Sequence, residues 1–178
     1  SIPMVAGGNV RRQEDVKKIL YTGAKRAILN FSKPLSFELI EEVSKRFGKE
    51  RIAVSLNDFD ALFKQQHLID KFSSEIIFMH RLDLLSVMNI TEIPCVVLTD
   101  TMEQEEILKI LKCKGVKGVS GMLISEPALD IDAFKNHCIS EGIQMTSLES
   151  TMSFSDFTLN TDGLLPVVVQ DYKTCLLY

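Results

Sequence analysis

Six short apolar runs, each followed by a helix-length amphipathic segment, are the feature that most restricts how this chain can fold. The runs recur at intervals of roughly 20–25 residues, which is the size of a βα unit. They are apolar at consecutive positions, so both faces of each strand are expected to be covered, as in a parallel sheet flanked by helices. The pattern therefore predicts an α/β fold with strands at 2–6, 26–30, 52–56, 75–79, 93–98 and 116–120.

The number of units favours one α/β architecture over another. A barrel of right-handed βα units closes with eight strands, whereas a doubly wound sheet is complete with five or six. The sequence opens directly on the first apolar run and closes inside another, KTCLLY. We therefore expect a (β/α)8 TIM-barrel type fold whose first two βα units are missing from this chain, with six strands in sequential order. The alternative, a complete doubly wound nucleotide-binding domain, lacks support from a GxGxxG or P-loop motif.

The amphipathic segments are delimited by glycines, which commonly end helices. Helices are predicted within 12–21, 36–47, 102–111 and 130–141, and this regular pattern stops at Gly142. The Ser- and Thr-rich residues 146–161 are predicted to form a linker. Residues 162–178 resemble two strands joined by a turn near 171–174, so we expect a barrel unit at 1–145, the linker, and then the start of a β-rich domain.

Composition excludes several classes of function. The net charge of −4 gives no reason to expect nucleic acid as a partner. No apolar stretch approaches the roughly 20 residues of a membrane span, and no signal peptide is recognisable, so no membrane association is expected. The cysteines are far apart and form no CxxC pair, which favours reduced thiols in a cytoplasmic protein. They are Cys95, Cys113, Cys138 and Cys175.

Candidate site residues follow from where the strands end, because ligands of α/β barrels bind at the carboxyl ends of the strands. The first loop, AGGNVRR, places Gly7 and Gly8 between a strand and a helix. Glycines there let a phosphate approach the backbone amides and the positive end of the helix dipole. A tight βα turn explains the same two glycines equally well. His80 follows the fourth strand, where a titrating imidazole or a structural hydrogen bond is possible.

The segment IPMVAGGNVRRQEDVKKILYTGAKRAILNFSKPLSFELIEEVSKRFG resembles the third and fourth βα units of two sister barrels of histidine biosynthesis. These are the phosphoribosylformimino aminoimidazole carboxamide ribotide isomerase and the cyclase of imidazole glycerol phosphate synthase. The resemblance extends to about residue 126. It implies that Gly7, Gly8 and Asn30 bind one phosphate of a phosphoribosyl-containing small molecule, with Asn9 in place of the family's third glycine.

Several positions depart from that family's pattern. Asn57 stands where the resemblance places the catalytic Asp, and an amide cannot act as a general acid or base. The remaining catalytic candidates are Asp58, Asp83 and His80. The Gly-Gly of the second phosphate site is replaced by Leu-Thr-Asp-Thr at 98–101. We therefore expect a degenerate, isomerase-like barrel that retains one phosphate half-site; the alternative is an active isomerase or cyclase.

The tail NTDGLLPVVVQDYKTCLLY resembles the opening of phosphoribosyl-AMP cyclohydrolase, and the resemblance covers about residues 160–178. Both resemblances point to one pathway, which implies a multifunctional, fused histidine-biosynthesis protein. Phosphoribosyl-ATP pyrophosphatase often follows the cyclohydrolase in such fusions. The resemblance implies zinc and magnesium for the parent hydrolase, with no metal ligand or other cofactor in this chain, and a homo-oligomer formed through the cyclohydrolase part.

Overall fold

The computed structural model describes residues 3–80, 91–146, 153–165 and 167. The chain divides into two compact units, residues 1–144 and residues 145–178. The first unit contains the sheet and its helices. Within the described part of the second unit, a short 3-10 turn spans Phe154–Asp156, and the Asn160 side chain accepts hydrogen bonds from the amides of Asp162 and Leu164. The predicted hairpin turn at 171–174 lies outside the described residues.

Six strands form one parallel sheet in the order in which they occur along the chain. This sequential order confirms the prediction, and it excludes the reversal of strand order that a doubly wound sheet would require. The sheet with its helices is a partial TIM barrel. Its strands are β1 (Val5–Gly7), β2 (Arg26–Asn30), β3 (Ile52–Leu56), β4 (Glu75–Phe78), β5 (Cys95–Thr99) and β6 (Val116–Gly121).

Five helices are described in the first unit, and four of them follow the predicted segments with shifts of one or two residues at their ends. The fifth, Phe59–Phe72, lies between β3 and β4. The shifts are of the size expected where caps, rather than hydrophobic periodicity, fix the ends. Short 3-10 turns at Lys49–Arg51 and Leu123–Ser125 complete the connections. The helices are α1 (Gln13–Tyr21), α2 (Leu35–Phe47), α3 (Phe59–Phe72), α4 (Gln104–Leu111) and α5 (Ile131–Ser140).

Two strands begin later than predicted, and both follow a proline. β1 starts at Val5, after Pro3, and β5 starts at Cys95, directly after Pro94. Proline has no backbone N–H to donate to a neighbouring strand, so it is typical of the approach to a strand. None of the described helices is both long enough and apolar enough to cross a membrane.

The hydrophobic core lies between the sheet and its helices. Alternate strand residues face the helices, because successive side chains of a strand point to opposite faces. In β2 these are Ala27 and Leu29, and in β3 they are Ile52, Val54 and Leu56. The helices contribute a matching apolar stripe, which includes Val16, Leu20, Ile40, Val43, Leu62 and Ile69.

The opposite side of the sheet, called the inner face below, carries the other half of the strand residues. Asn30, Ser55, Ile77, Val96 and Gly118 are registered neighbours on successive strands and so share this face.

Nearer the amino ends of the strands, Arg26 Nη1 and Glu75 Oε2 form an ion pair of 3.1 Å on the inner face. Both side chains are largely buried, at 19% and 15% exposure. Arg26 belongs to β2 and Glu75 to β4, so the pair reaches across β3, where Ala53 is the registered partner of Glu75.

Candidate phosphate-binding site

Two glycines, one at the end of β1 and one at the start of the loop that follows it, are required for different reasons. Gly7 is paired with Ile28, and a Cβ added at Gly7 would lie 2.7 Å from the Ile28 Cβ. Close packing between β1 and β2 therefore accounts for Gly7. Gly8 has a φ of +148°, which side chains rarely adopt, and a Cβ there would meet no atom within 4 Å. Gly8 thus leaves an open space at the carboxyl end of β1.

Asn9 continues this loop in a left-handed conformation with a φ of 45°, and it is the only described non-glycine residue with a positive φ. Asparagine tolerates this region better than most residues do. Its side-chain Oδ1 accepts a hydrogen bond of 3.1 Å from Arg11 Nε. A glycine at this position could hold the same backbone but could not bind Arg11. Sequence analysis did not single out Arg11; its position two residues beyond Asn9 was the available signal.

The amino end of α1 is already occupied by a carboxylate of its own. One oxygen of Asp15 accepts hydrogen bonds from the backbone amides of Arg11 and Arg12, at 3.0 and 3.1 Å. The bond from the Arg11 amide is the main cause that lowers the pKa of Asp15 below its ordinary value. Asp15 is therefore negative at neutral pH and satisfies two amides that an anion would otherwise use. An anion at this loop consequently depends on Gly8, Asn9 and side chains rather than on these two amides.

Asn30 lies exposed at the end of β2, the strand next to β1. Its Oδ1 accepts a hydrogen bond of 2.9 Å from the Ser32 amide, so the side chain is held by the turn that follows the strand. The amide of Phe31 donates to the Ser55 carbonyl and fixes this turn on β3. The Asn30 Nδ2 makes no hydrogen bond within residues 3–80 and 91–146, which leaves its two N–H groups available to an acceptor such as phosphate.

The third and fourth strand ends carry the proposed catalytic candidates. Asn57 lies exposed directly after β3. Asp58 is the N-cap of α3, where its Oδ1 accepts a hydrogen bond of 2.8 Å from the Ala61 amide. His80 lies exposed two residues after β4. Asp83 lies outside the described residues, so the structure brings Asn57, Asp58 and His80 to the same edge of the sheet without testing Asp83.

The carboxyl ends of β5 and β6 are arranged differently from the first loop. The Thr99 and Thr101 hydroxyls accept hydrogen bonds from the amides of Thr101 and Glu103, both at 3.2 Å. Gly121 packs against the backbone of β5, and a Cβ there would lie 1.8 Å from the Thr99 carbonyl oxygen. The exposed Asp100 adds a negative charge, which would repel a phosphate.

Across the described ranges, no group of three or more His, Cys, Asp or Glu side chains could hold a metal ion. The first loop presents backbone amides, an amide side chain and arginine side chains. These groups donate hydrogen bonds, so they suit an anion rather than a cation.

The sequence of this chain is similar to that of known histidine biosynthesis proteins. The sequence profile of the family described as "Histidine biosynthesis protein" matches residues 1–104. The imidazole glycerol phosphate synthase subunit HisF of Corynebacterium glutamicum (strain R) is 43% identical over 56 residues, which are 32% of this chain and 22% of that protein. The HisF subunit of Buchnera aphidicola is 26% identical over 76 residues, 43% of this chain and 30% of that protein. The chain thus matches about a fifth to a third of the length of these curated relatives.

A solved structure supports the fold alone. A crystal structure of a variant of the citrate synthase SbnG superposes with a TM-score of 0.51 at 13% identity, over 78% of this chain and 71% of that chain. At that identity the likeness concerns only the α/β architecture. The family profile is more specific, because it spans more than half of the 178 residues. The chain therefore belongs to the histidine biosynthesis protein family.

Proposed function

We propose that the first unit binds one phosphate of a phosphoribosyl-containing small molecule at Gly7, Gly8 and Asn30, and that it does not catalyse the isomerase reaction. The observation that carries this proposal is the placement of Gly8 and Asn30 at the carboxyl ends of adjacent parallel strands. Gly8 borders open space, and the N–H groups of Asn30 Nδ2 are available to an acceptor. Both residues can therefore face one anion. Gly7 contributes by allowing β1 to approach β2 closely.

We expect no isomerase activity because the side chains near the strand ends do not supply a free general acid or base. Asn57 offers an amide at the position where the family resemblance expects Asp. Asp58, the nearest carboxylate in sequence, is engaged as the cap of α3, so recruiting it for catalysis would cost part of that helix's stability. The second phosphate of the family's substrate would meet Asp100 and hydroxyls already bonded to their own loop.

A second candidate function is the cyclase reaction of imidazole glycerol phosphate synthase, which the matched relatives favour by their names. An isomerase of the same family is the other active alternative. Both require two phosphate sites and a catalytic carboxylate in one barrel. Turnover of either substrate by the full-length protein, abolished by Asp83→Ala or Asp58→Ala, would establish this candidate and refute the degenerate barrel.

The wider context is also part of the proposal. Two further βα units are expected to complete the barrel, since β1 and β6 each have one edge without a partner strand in the described sheet. Residues 160–178 are proposed to begin a phosphoribosyl-AMP cyclohydrolase unit, with phosphoribosyl-ATP pyrophosphatase as a third part. That unit would supply the zinc and magnesium sites and a homo-oligomeric interface of a cytoplasmic, multifunctional enzyme.

Asn30→Asp tests the phosphate half-site with little risk to the fold. The substitution keeps an oxygen that accepts the Ser32 amide hydrogen bond and adds one negative charge. Two unit charges about 4 Å apart interact by about 1 kcal/mol in water and more where solvent is partly excluded. Binding of ribose 5-phosphate, followed by ³¹P NMR titration, should therefore weaken by about fivefold or more.

The matched control is Asn136→Asp, the same change at an exposed position of α5. It should leave the dissociation constant of ribose 5-phosphate unchanged. Equal binding by wild type, Asn30→Asp and Asn136→Asp would remove the half-site from the proposal. Circular dichroism of the three proteins checks that they are equally folded.

A further inference from the structure

We propose that Cys113 and Cys95 form a site of reversible thiol oxidation, at which an anionic disulfide such as glutathione disulfide reacts with Cys113 and the disulfide bond then passes to Cys95. The two residues are well separated along the sequence, which gave no reason to pair them. The inference does not rest on the proposed phosphate site. That site lies at the carboxyl ends of the strands, whereas Cys95 opens β5 and Cys113 lies just before the start of β6.

The backbone of β5 and β6 brings the two cysteines together. Cys95 is the registered partner of Val116, and its amide donates a hydrogen bond of 2.9 Å to the Gly115 carbonyl. The Val116 amide donates to the Cys113 carbonyl at 3.2 Å, which closes a turn whose first and last Cα atoms lie less than about 7 Å apart. Neighbouring strands are separated by about 4.8 Å. These two short spacings bring the cysteines close to the Cα separation of about 4.4–6.8 Å that a disulfide needs.

Both thiols lie on the side of the sheet that faces the helices. Cys95 is fully buried in the hydrophobic core, and Cys113 packs against the same core. Burial is the main cause that raises the pKa of the Cys95 thiol to about 11, and the negative charge of a Cys113 thiolate adds to this rise. Such a contribution requires the two sulfur atoms to be near each other, in agreement with the strand register.

Their different exposure gives the two thiols different roles. Cys113 is half-buried at the end of α4, where its Sγ donates a hydrogen bond of 3.4 Å to the Lys109 carbonyl, so a reagent in solvent can reach it. Cys95 has no exposed surface. Because its pKa lies at about 11 rather than 9.0, its reactive thiolate form is about 100-fold less populated at neutral pH than that of an ordinary thiol. Cys113 therefore meets the oxidant, and Cys95 reacts with the bond formed beside it.

The charges near Cys113 indicate the class of oxidant. Lys109, Lys112 and Lys114 are exposed around it, and Lys112 is paired with the Glu141 carboxylate at 2.7 Å. The balance is positive, so an anionic reagent is attracted to this surface. Glutathione disulfide has more carboxylates than ammonium groups and is therefore negative at neutral pH.

Both steps are thiol–disulfide exchanges. The Cys113 thiolate attacks one sulfur of glutathione disulfide, breaks its S–S bond and releases one glutathione thiolate, which takes up a proton. The Cys95 thiolate then attacks the Cys113 sulfur, forms the Cys95–Cys113 bond and releases the second glutathione. The protein gives up two electrons and two protons, and glutathione disulfide is reduced to two glutathione molecules. Excess reduced thiol reverses both steps, as is typical of disulfides that form in reducing compartments.

The first test maps the disulfide in the whole chain. Folded protein is treated with glutathione disulfide, free thiols are blocked with N-ethylmaleimide at mildly acidic pH, and tryptic peptides are identified by mass spectrometry. Trypsin cleaves after Lys109 and Lys112, so Cys95 and Cys113 fall in separate peptides. We expect these peptides to be joined in wild type and separated by dithiothreitol. The control variants Cys138→Ala and Cys175→Ala remove the other two thiols of the chain and should give the same joined pair.

The second test compares Cys95→Ala with Cys113→Ala, after circular dichroism has shown that both are folded. Cys95→Ala should stop at a glutathione adduct on Cys113. In Cys113→Ala, Cys95 should form its adduct about 10-fold more slowly or less, because the greater nucleophilicity of a high-pKa thiolate offsets only part of its lower population. Equal rates would overturn the assigned order. If wild type gives separate glutathione adducts, or joins the two peptides only in urea, the thiols do not meet in the folded chain and the inference is wrong.

Discussion

Gly7→Ala should destabilise the protein because β1 lies unusually close to β2 at this position. A Cβ at Gly7 would lie 2.7 Å from the Ile28 Cβ and 3.2 Å from the Ile28 carbonyl oxygen. Ordinary van der Waals contact for such an atom begins at 3.4 Å. Both obstructing atoms belong to or adjoin the backbone of β2, so neither can rotate away as the end of a flexible side chain could.

The magnitude follows from two opposing effects. Overpacking a close contact by one methyl group costs about 1–3 kcal/mol. Replacing glycine by alanine also reduces the entropy of the unfolded chain and recovers about 0.4–1 kcal/mol. Gly7 does not have a positive φ, so no backbone strain is added. The free energy of unfolding should therefore fall by about 1–2 kcal/mol.

Gly118→Ala provides the matched control, since Gly118 is also a strand glycine on a parallel partner. Its nearest neighbour would be Val96 Cγ2 at 3.8 Å, an ordinary contact. The unfolding free energy of this variant should equal or slightly exceed that of wild type, and the difference between the two variants isolates the overpacking cost. Urea denaturation followed by circular dichroism measures both. If Gly7→Ala were as stable as Gly118→Ala, β1 would have room at this position and a ligand, not packing, would have to explain the glycine.

Two further predictions concern Asp58 and Cys95. Asp58→Ala removes the N-cap of α3 and should lower the unfolding free energy by about 0.5–2 kcal/mol, with Asp58→Asn nearer to wild type; equal urea midpoints for all three proteins would contradict the capping role. Burial raises the pKa of the Cys95 thiol from an ordinary 9.0 to about 11, with a smaller contribution from Cys113. The unfolded chain therefore releases this proton first as pH rises, so stability should fall between about pH 9 and pH 11, by about 1–2 kcal/mol at pH 10.5. Cys95→Ala should lack this part of the decline, and an equal decline in wild type and variant would show that the buried thiol is not its cause.

The strand and helix pattern could be predicted from the sequence because it depends on local order along the chain. The predicted runs at 26–30 and 52–56 coincide with β2 and β3, since strands covered on both faces require consecutive apolar residues whatever their partners are. The sequential strand order followed from the same repetition, as each βα unit returns the chain beside the strand that it has just left. The structure departs from the predicted strand bounds where a single residue alters the backbone. For example, β5 begins only after Pro94.

Part of the candidate site was also accessible from sequence. Gly8 follows one predicted strand and Asn30 ends the next, and parallel strands bring their carboxyl ends to one edge of the sheet. Sequence could not separate the roles of Gly7 and Gly8, because the contact that requires Gly7 is made with Ile28, which is distant in the chain. Nor did it identify Asp58 as a cap rather than a catalytic candidate, since the same carboxylate suits both.

The tertiary structure alone decided how the charges near the loop are arranged. Asp15 turns back onto the amides of Arg11 and Arg12, so an anion cannot use them, and Asn9 in its left-handed conformation takes up the Arg11 side chain. A composition of glycine, asparagine, arginine and aspartate within a few residues is compatible with many hydrogen-bond arrangements. Which of them forms depends on the backbone angles that β1, β2 and α1 impose once they pack around a common core, and those angles are a property of the folded chain rather than of the local sequence.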